Sequence, residues 1–226
     1  MTRNWPMLVL AGFLLCLVQA APALAQVDQQ QTVNSAQATV ERMKTDSNFQ
    51  QSFQPKLQQA KAVLIVPSLY KGGFFLGAQY GNGVLLARRP DGAWGYPAFF
   101  TIEGGSFGLQ FGLENTAMLF LIMSDHGLSA ILNNQFKFGA DAGVTVIIVG
   151  AGVGASSTSN LGADVYAFAL SGVGLYGGLS LEGTAVAPRE SWNAAYYGQN
   201  LSSRAIVLDN VASNPQADRL RDILAR

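Results

Sequence analysis

Between Ala60 and Gly198 the chain alternates apolar runs of strand length with turn residues. The runs are Ala62 to Val66, Phe74 to Tyr80, Gly83 to Arg88, Trp94 to Ile102, Ser106 to Phe111, Ala117 to Met123, Val144 to Val149, Val165 to Leu170 and Leu175 to Leu181. Runs this short, bounded by Gly, Pro, Asn and Asp, predict strands. The first is apolar without interruption, which suits a strand buried on both faces. Gly81-Asn82-Gly83 is expected to make a tight hairpin turn, because these residues accept positive φ cheaply. Arg89-Pro90-Asp91-Gly92 is expected to make a second turn. A short helix is predicted from a cap at Ser124 or Asp125 through Leu132, stopped by Asn133-Asn134.

The flanks carry a different period. Val33, Ala36, Val40 and Met43 fall on one helical face, Phe49 and Phe53 make a second stripe, and Pro55 is expected to begin a further short helix. The polar face of this lead-in is mostly Gln, Ser and Thr, which favours packing on the sheet over resting on anionic lipid. Toward the other end, Glu190 to Tyr197 is predicted helical. A closing helix follows, with Ser213 as its cap, Pro215 in its first turn and Leu220, Ile223 and Leu224 turned inward. Glycine is dense from Gly139 to Gly178. Within strands it implies bulges and sharp bends. The expected fold is α+β: a strongly bent antiparallel β-sheet forming a barrel-like or sandwich core, with N-terminal helices and a C-terminal helix packed on it. An outer-membrane barrel is the rival, opposed by the short strands and by the charged helix start from Asn214 to Arg221.

Composition narrows the classes. The 226 residues are 49% hydrophobic and 12% charged, enough for a sizeable core. Lys plus Arg equals Asp plus Glu at 14 each, which gives no electrostatic reason to expect nucleic acid. The distribution is uneven: Gln26 to Arg89 holds seven basic and three acidic residues, and Pro90 to Pro188 one basic and seven acidic. An anionic partner is therefore expected at the front of the core. Arg3, the apolar run Met7 to Val18 and Ala23-Leu24-Ala25 read as a signal peptide over residues 1–25, cleaved after Ala25. Cys16 follows Leu14-Leu15 rather than a small residue, so lipidation is not expected, and the product is an exported, periplasmic or envelope-associated protein without cysteine. The expected units are the signal peptide, a helical lead-in at 26–59 and a β-rich domain with its C-terminal helix at 60–226.

Chemical motifs are sparse. Gly104-Gly105-Ser106-Phe107-Gly108 matches the spacing of a nucleophile elbow, with Asp125 and His126 as conceivable partners. The residues after it read as strand where the elbow needs a helix, so a serine hydrolase is a remote alternative. Gly172, Gly174 and Gly177 match a dinucleotide fingerprint by spacing alone. No helix follows them. His126 is the single histidine, and no metal or other cofactor is expected.

The ordered set Ala60 to Pro67, Gly77 to Gly83, Gly92-Ala93-Trp94-Gly95-Tyr96-Pro97, Ser106 to Gly112, Gly177 to Gly183 and Asn193-Ala194-Ala195-Tyr196-Tyr197-Gly198 resembles the SYLF domain, over about Gln50 to Leu208. The resemblance implies a non-catalytic lipid-binding module. Its eukaryotic members are cytoplasmic, bind phosphoinositide membranes and in fungi engage actin; bacterial members with signal peptides are exported, so actin is not expected as a partner here. Two positions depart from the family pattern: Gly95 stands where serine often follows the tryptophan, and Val173 where a basic residue often precedes the glycine. On the residues that remain, Lys61, Lys71, Arg88 and Arg89, with Phe74 and Phe75, are the candidate surface for anionic phospholipid. At about 1 kcal/mol per charge, such a surface binds weakly and salt-sensitively. The alternative is an envelope structural or interaction protein with no small ligand.

Overall fold

The computed structural model describes residues 27–45, 47–73, 76–107, 112–133, 136–139, 143–149, 162–171, 174–175, 181 and 183–226. At 47–49, 52, 72–73, 76–77, 106–107, 112–114, 171 and 174–175 it describes the backbone alone. The signal peptide with Cys16, the side chain of Phe49, the pair Phe74 and Phe75, the second half of the expected 106–111 strand, Val173 and most of the Gly172 to Gly183 segment lie outside what is described.

Two helices, α1 (27–45) and α2 (Ser47–Gln59), lead into β1 (Ala62–Gly73), β2 (Leu76–Ala87), β3 (Ala98–Phe107) and β4 (Gly112–Ile122). After α3 (Asp125–Leu132) come β5 (Phe136–Lys137), β6 (Val146–Val149), β7 (Val165–Ser171), β8 (Gly174–Leu175) and β9 (Thr184–Pro188). Helices α4 (Glu190–Tyr197), α5 (Ser203–Val207) and α6 (Asp218–Ala225) close the chain. Among the described residues the strands form one nine-stranded sheet in the order β5-β9-β3-β2-β1-β4-β7-β6, with β8 beside β7. It bends into a half-barrel carrying helices at both chain ends, as the glycine density implied. Every pairing described is antiparallel except β6 with β7, which is parallel.

The continuous apolar run of β1 is explained by its place at the centre. Ala62 to Val66 have no exposed surface, and alternate residues feed two cores. Val63 and Ile65 pack with Val33, Ala36, Val40 and Met43 of α1, Phe53 and Leu57 of α2, and Leu220 and Leu224 of α6. Ala62, Leu64 and Val66 pack with Leu128 and Ile131 of α3 and Ile206 of α5. A sheet sandwiched in this way leaves little of its central strands for solvent.

Four expectations are corrected. Gly81-Asn82-Gly83 is no turn; β2 runs straight through it, and the β1–β2 connection lies at residues 74–75. The glycines are needed for close approach. A Cβ on Gly81 would lie 2.6 Å from the Ser68 carbonyl oxygen, and one on Gly83 2.5 Å from that of Ile65. Both contacts arise at a β-bulge, where β1 slips register between Ile65 and Ser68 around Pro67. The expected strand at Trp94 begins only at Ala98, because Pro97 has no N–H to give to a ladder; Trp94 makes an isolated bridge with Arg88. Pro55 does not begin a helix but sits inside α2. The closing helix is entered through a 3-10 turn, Pro215–Ala217, whose cap is Asn214 rather than Ser213. Ser124 does cap α3, accepting from the Gly127 N–H at 3.0 Å, and Gly92 closes the Arg89 turn at φ 83°.

Candidate functional site

The four cations do not form one surface. Lys61, Arg88 and Arg89 cluster where β1 begins and β2 ends, whereas Lys71 is ten residues along β1 from Lys61 and so roughly 30 Å away. Lys61 Nζ meets Asp125 Oδ2 at 2.5 Å, and Arg89 meets Asp91 at 3.1 Å. Arg88 is structural. Its Nε donates to the Ala60 carbonyl at 3.1 Å, one terminal nitrogen to Leu57 O and the other to Gly92 O, both at 3.0 Å, while its face covers Trp94 at 4.4 Å. It therefore closes the C-terminal end of α2, and burial pulls its pKa below the ordinary value. Lys71 is only 7% exposed.

Ser106 lies within β3, paired with Gly77, and the strand continues to Phe107. A nucleophile elbow needs the serine on a strand-to-helix turn, and this backbone does not supply one. His126 stands in the first turn of α3. Among the described residues no three of His, Cys, Asp and Glu gather as a metal site would require, and no helix is long and apolar enough to cross a membrane.

The blocks that carry the SYLF resemblance lock onto one another. Asn193, wholly buried, accepts the Phe99 N–H at 2.8 Å and donates to Ser203 Oγ at 2.9 Å and Glu190 Oε2 at 3.0 Å. Tyr197 donates to the Pro97 carbonyl at 2.6 Å, and Tyr96 to Asp218 at 3.0 Å. Burial raises the phenols of Tyr196 and Tyr197 well above the usual range, so both act as neutral donors. Arg221 donates to the Trp94 carbonyl at 2.8 Å and lies 4.1 Å over the Tyr96 ring. The two blocks thus fasten α4 and α6 to the start of β3.

What remains exposed and organised is the α1 side of the sheet beyond the bulge. Alternation is reset there: Leu69 turns to the α3 core, and Tyr70 comes round to the α1 side. Tyr70 faces Tyr80 directly across the β1–β2 ladder, and the two are 55% and 46% exposed. Tyr80 donates to Asn82 Oδ1 at 3.0 Å, and Arg189 donates to the same oxygen at 2.9 Å while lying 3.7 Å over the ring of Trp192. Between this cluster and α1 is a concavity of about 330 Å³. A second, of about 390 Å³, continues beyond Ser35, Pro67 and Ser68 toward Arg42 and Asn115. None of these residues was among the sequence candidates. The signal was there: a proline inside an apolar strand, opposed by two glycines, marks a bulge, and a bulge re-aims the side chains after it.

Residues 103–226 match the family described as Ysc84, Las17-binding protein actin regulator. The chain belongs to this family. The Ysc84 assignment agrees with the SYLF resemblance, and relatives extend it upstream. Protein YSC84 of Saccharomyces cerevisiae is 31% identical over 170 residues, which are 74% of this chain and 36% of that protein. SH3 domain-containing YSC84-like protein 1 is 30% identical over 162 residues in Rattus norvegicus, 71% of this chain and 47% of that protein. The human protein of that name is 28% identical over 169 residues, 74% of this chain and 49% of its own length. The chain thus spans between about a third and a half of the curated Ysc84 relatives it matches. The family description names an actin regulator, which supports a binding module.

Proposed function

We propose that this Ysc84-family chain is an exported, non-catalytic module that rests on a phospholipid surface of the cell envelope through the β1–β2 hairpin end of its sheet. The observation that carries the reading is the pair Tyr70 and Tyr80, half-exposed and directly opposite on the two strands whose connection holds Phe74 and Phe75. Tyrosine has an apolar body and a polar tip, and it is enriched where one end must be dry and the other wet. In sequence the two strands are separated by Phe74 and Phe75, both apolar. Export is read from the leader-like segment at residues 1–25, and the actin regulation named in the family description is not carried over to an exported chain. Lys61, Arg88 and Arg89, at the other end of β1 and engaged with Asp125, backbone carbonyls and Asp91, contribute little to this contact.

Co-sedimentation with phosphatidylcholine vesicles, with and without phosphatidylglycerol, tests it. Tyr70→Ser with Tyr80→Ser is expected to lower vesicle binding at least fivefold, and Lys61→Gln with Arg89→Gln to change it less than twofold. Binding that survives the first pair and collapses in the second would place the contact at the wrong end of the sheet.

A further inference from the structure

The geometry points to the concavity between α1 and the Tyr70–Tyr80 pair as a site for an uncharged sugar unit. This goes beyond the membrane reading and does not rest on it. At about 330 Å³ the concavity falls at the lower end of the 300–1,000 Å³ range of small-molecule sites. The second concavity beyond Ser35 and Ser68 gives room for a ligand of more than one ring.

The chemistry of the walls selects the class. Among the residues lining the first concavity the one charged side chain is Asp28, a carboxylate that repels phosphate and other anionic headgroups. Arg189, which reaches the lining residues Asn82 and Trp192, is already engaged with Asn82 Oδ1 and the face of Trp192. An anion is therefore disfavoured in the first concavity, whereas Arg42 lines the second. A purely apolar ligand is disfavoured too, because the walls carry the hydroxyls of Ser35, Ser68 and Tyr70 and the amide of Gln31. These four side chains make no hydrogen bond to any described residue. A ring of hydroxyls needs several donors and acceptors around an apolar face of C–H groups. Tyr70 and Tyr80 line the same concavity, and their half-exposed rings supply flat apolar surfaces against which such C–H groups pack. The platform is held in advance: Tyr80 is fixed by Asn82, Asn82 by Arg189, and Arg189 by Trp192. Preorganised walls reduce the ordering cost of binding.

The test is calorimetric titration of the full chain with lactose and with N,N′-diacetylchitobiose, beside co-sedimentation with phosphatidylcholine vesicles containing or lacking monogalactosyl diacylglycerol. Saturable binding of either free disaccharide supports the site and assigns a free glycan as its source. Binding confined to the galactolipid vesicles supports it and assigns a lipid-borne sugar. In either arm, Tyr70→Ala and Gln31→Ala, both on exposed positions that leave the cores untouched, are expected to weaken binding at least tenfold. Gln31→Ala leaves binding to plain phosphatidylcholine vesicles unchanged, which separates this site from the membrane contact. No response to sugar in either form, or tighter binding of inorganic phosphate than of the disaccharides, overturns the assignment.

Discussion

The side-chain oxygen of Asn193 takes the backbone N–H of Phe99 at 2.8 Å, and both residues are wholly buried. A strand amide that would otherwise be orphaned is thereby satisfied from a helix, and the amide nitrogen of Asn193 ties Ser203 and Glu190 into the same knot. Removing the side chain leaves a buried donor unpaired, at a cost of about 1–3 kcal/mol, with the loss of the Ser203 contact in addition. Asn193→Leu, which keeps the branched heavy-atom skeleton, is expected to lower the unfolding free energy by about 2–3 kcal/mol. Urea denaturation gives the number, and a loss under about 0.5 kcal/mol would show that the knot is ornamental.

Two glycines of different kinds make a paired test. Gly92 has φ 83° and nothing within 4 Å of an added methyl, so Gly92→Ala is resisted by backbone conformation alone, about 1–2 kcal/mol. At Gly83 the methyl would meet the Ile65 carbonyl oxygen at 2.5 Å and the Val66 side chain at 2.8 Å, in the centre of the sheet. Neither neighbour can retreat without breaking the β1–β2 ladder. Gly83→Ala is therefore expected to cost more than Gly92→Ala, by about 1 kcal/mol or more. Equal midpoints in thermal melts would contradict the close-approach account of β2.

Much of this fold is legible in the chain itself, and the illegible part has a physical cause. Strand and helix periods placed β1, β4, β7, α1, α3 and α4, because each buries a stripe whose spacing its own residues display. One failure lies at the bulge. Gly81 and Gly83 look like turn residues from their own strand, and only the partner strand, with Pro67 forcing a slip, reveals that they are space-makers. The dispersal of the candidate cations has a related reason. Charge along a chain says nothing of which carbonyl or carboxylate the fold will bring to it, and Arg88 is drawn to the end of α2. Tyr70 and Tyr80 escaped notice because aromatic residues in strands ordinarily face a core.

Acid sensitivity is expected to centre on Asp164. Ser124 donates its hydroxyl to Oδ1 and the Thr145 N–H donates to Oδ2 at 3.0 Å. The Ser124 hydrogen bond first, then that from Thr145, hold its pKa below the ordinary carboxylate value; nearby His126 adds to this, and partial burial works against it. A depressed folded-state pKa adds stability above the unfolded value of about 3.9, and that stability is lost as pH falls through the lower folded value. Asp164→Asn is expected to destabilise the protein at neutral pH and to flatten the fall in melting temperature below about pH 4. A wild-type fall that the variant reproduces in full would mean that other carboxylates govern acid unfolding.

Arg88 and Lys61 sit side by side at the start of the sheet, yet they are expected to respond oppositely to conservative replacement. Lys61 pairs with Asp125 at the surface, and exposed pairs are worth about 0–1 kcal/mol. Lys61→Gln should leave the melting temperature nearly unchanged. Arg88 reaches three carbonyls with a planar fork and covers Trp94, a geometry that an ammonium group cannot reproduce. Arg88→Lys keeps the charge and loses the fork, so at the end of α2 the Ala60 carbonyl loses its side-chain donor and that of Leu57 keeps only the Ala60 N–H. The expected cost is about 1–2 kcal/mol, read by urea denaturation, with vesicle binding unchanged once the variant is folded. If Arg88→Lys were neutral for stability but reduced vesicle binding, the residue would be a headgroup ligand after all, and the membrane-facing end of the sheet would have to be reassigned.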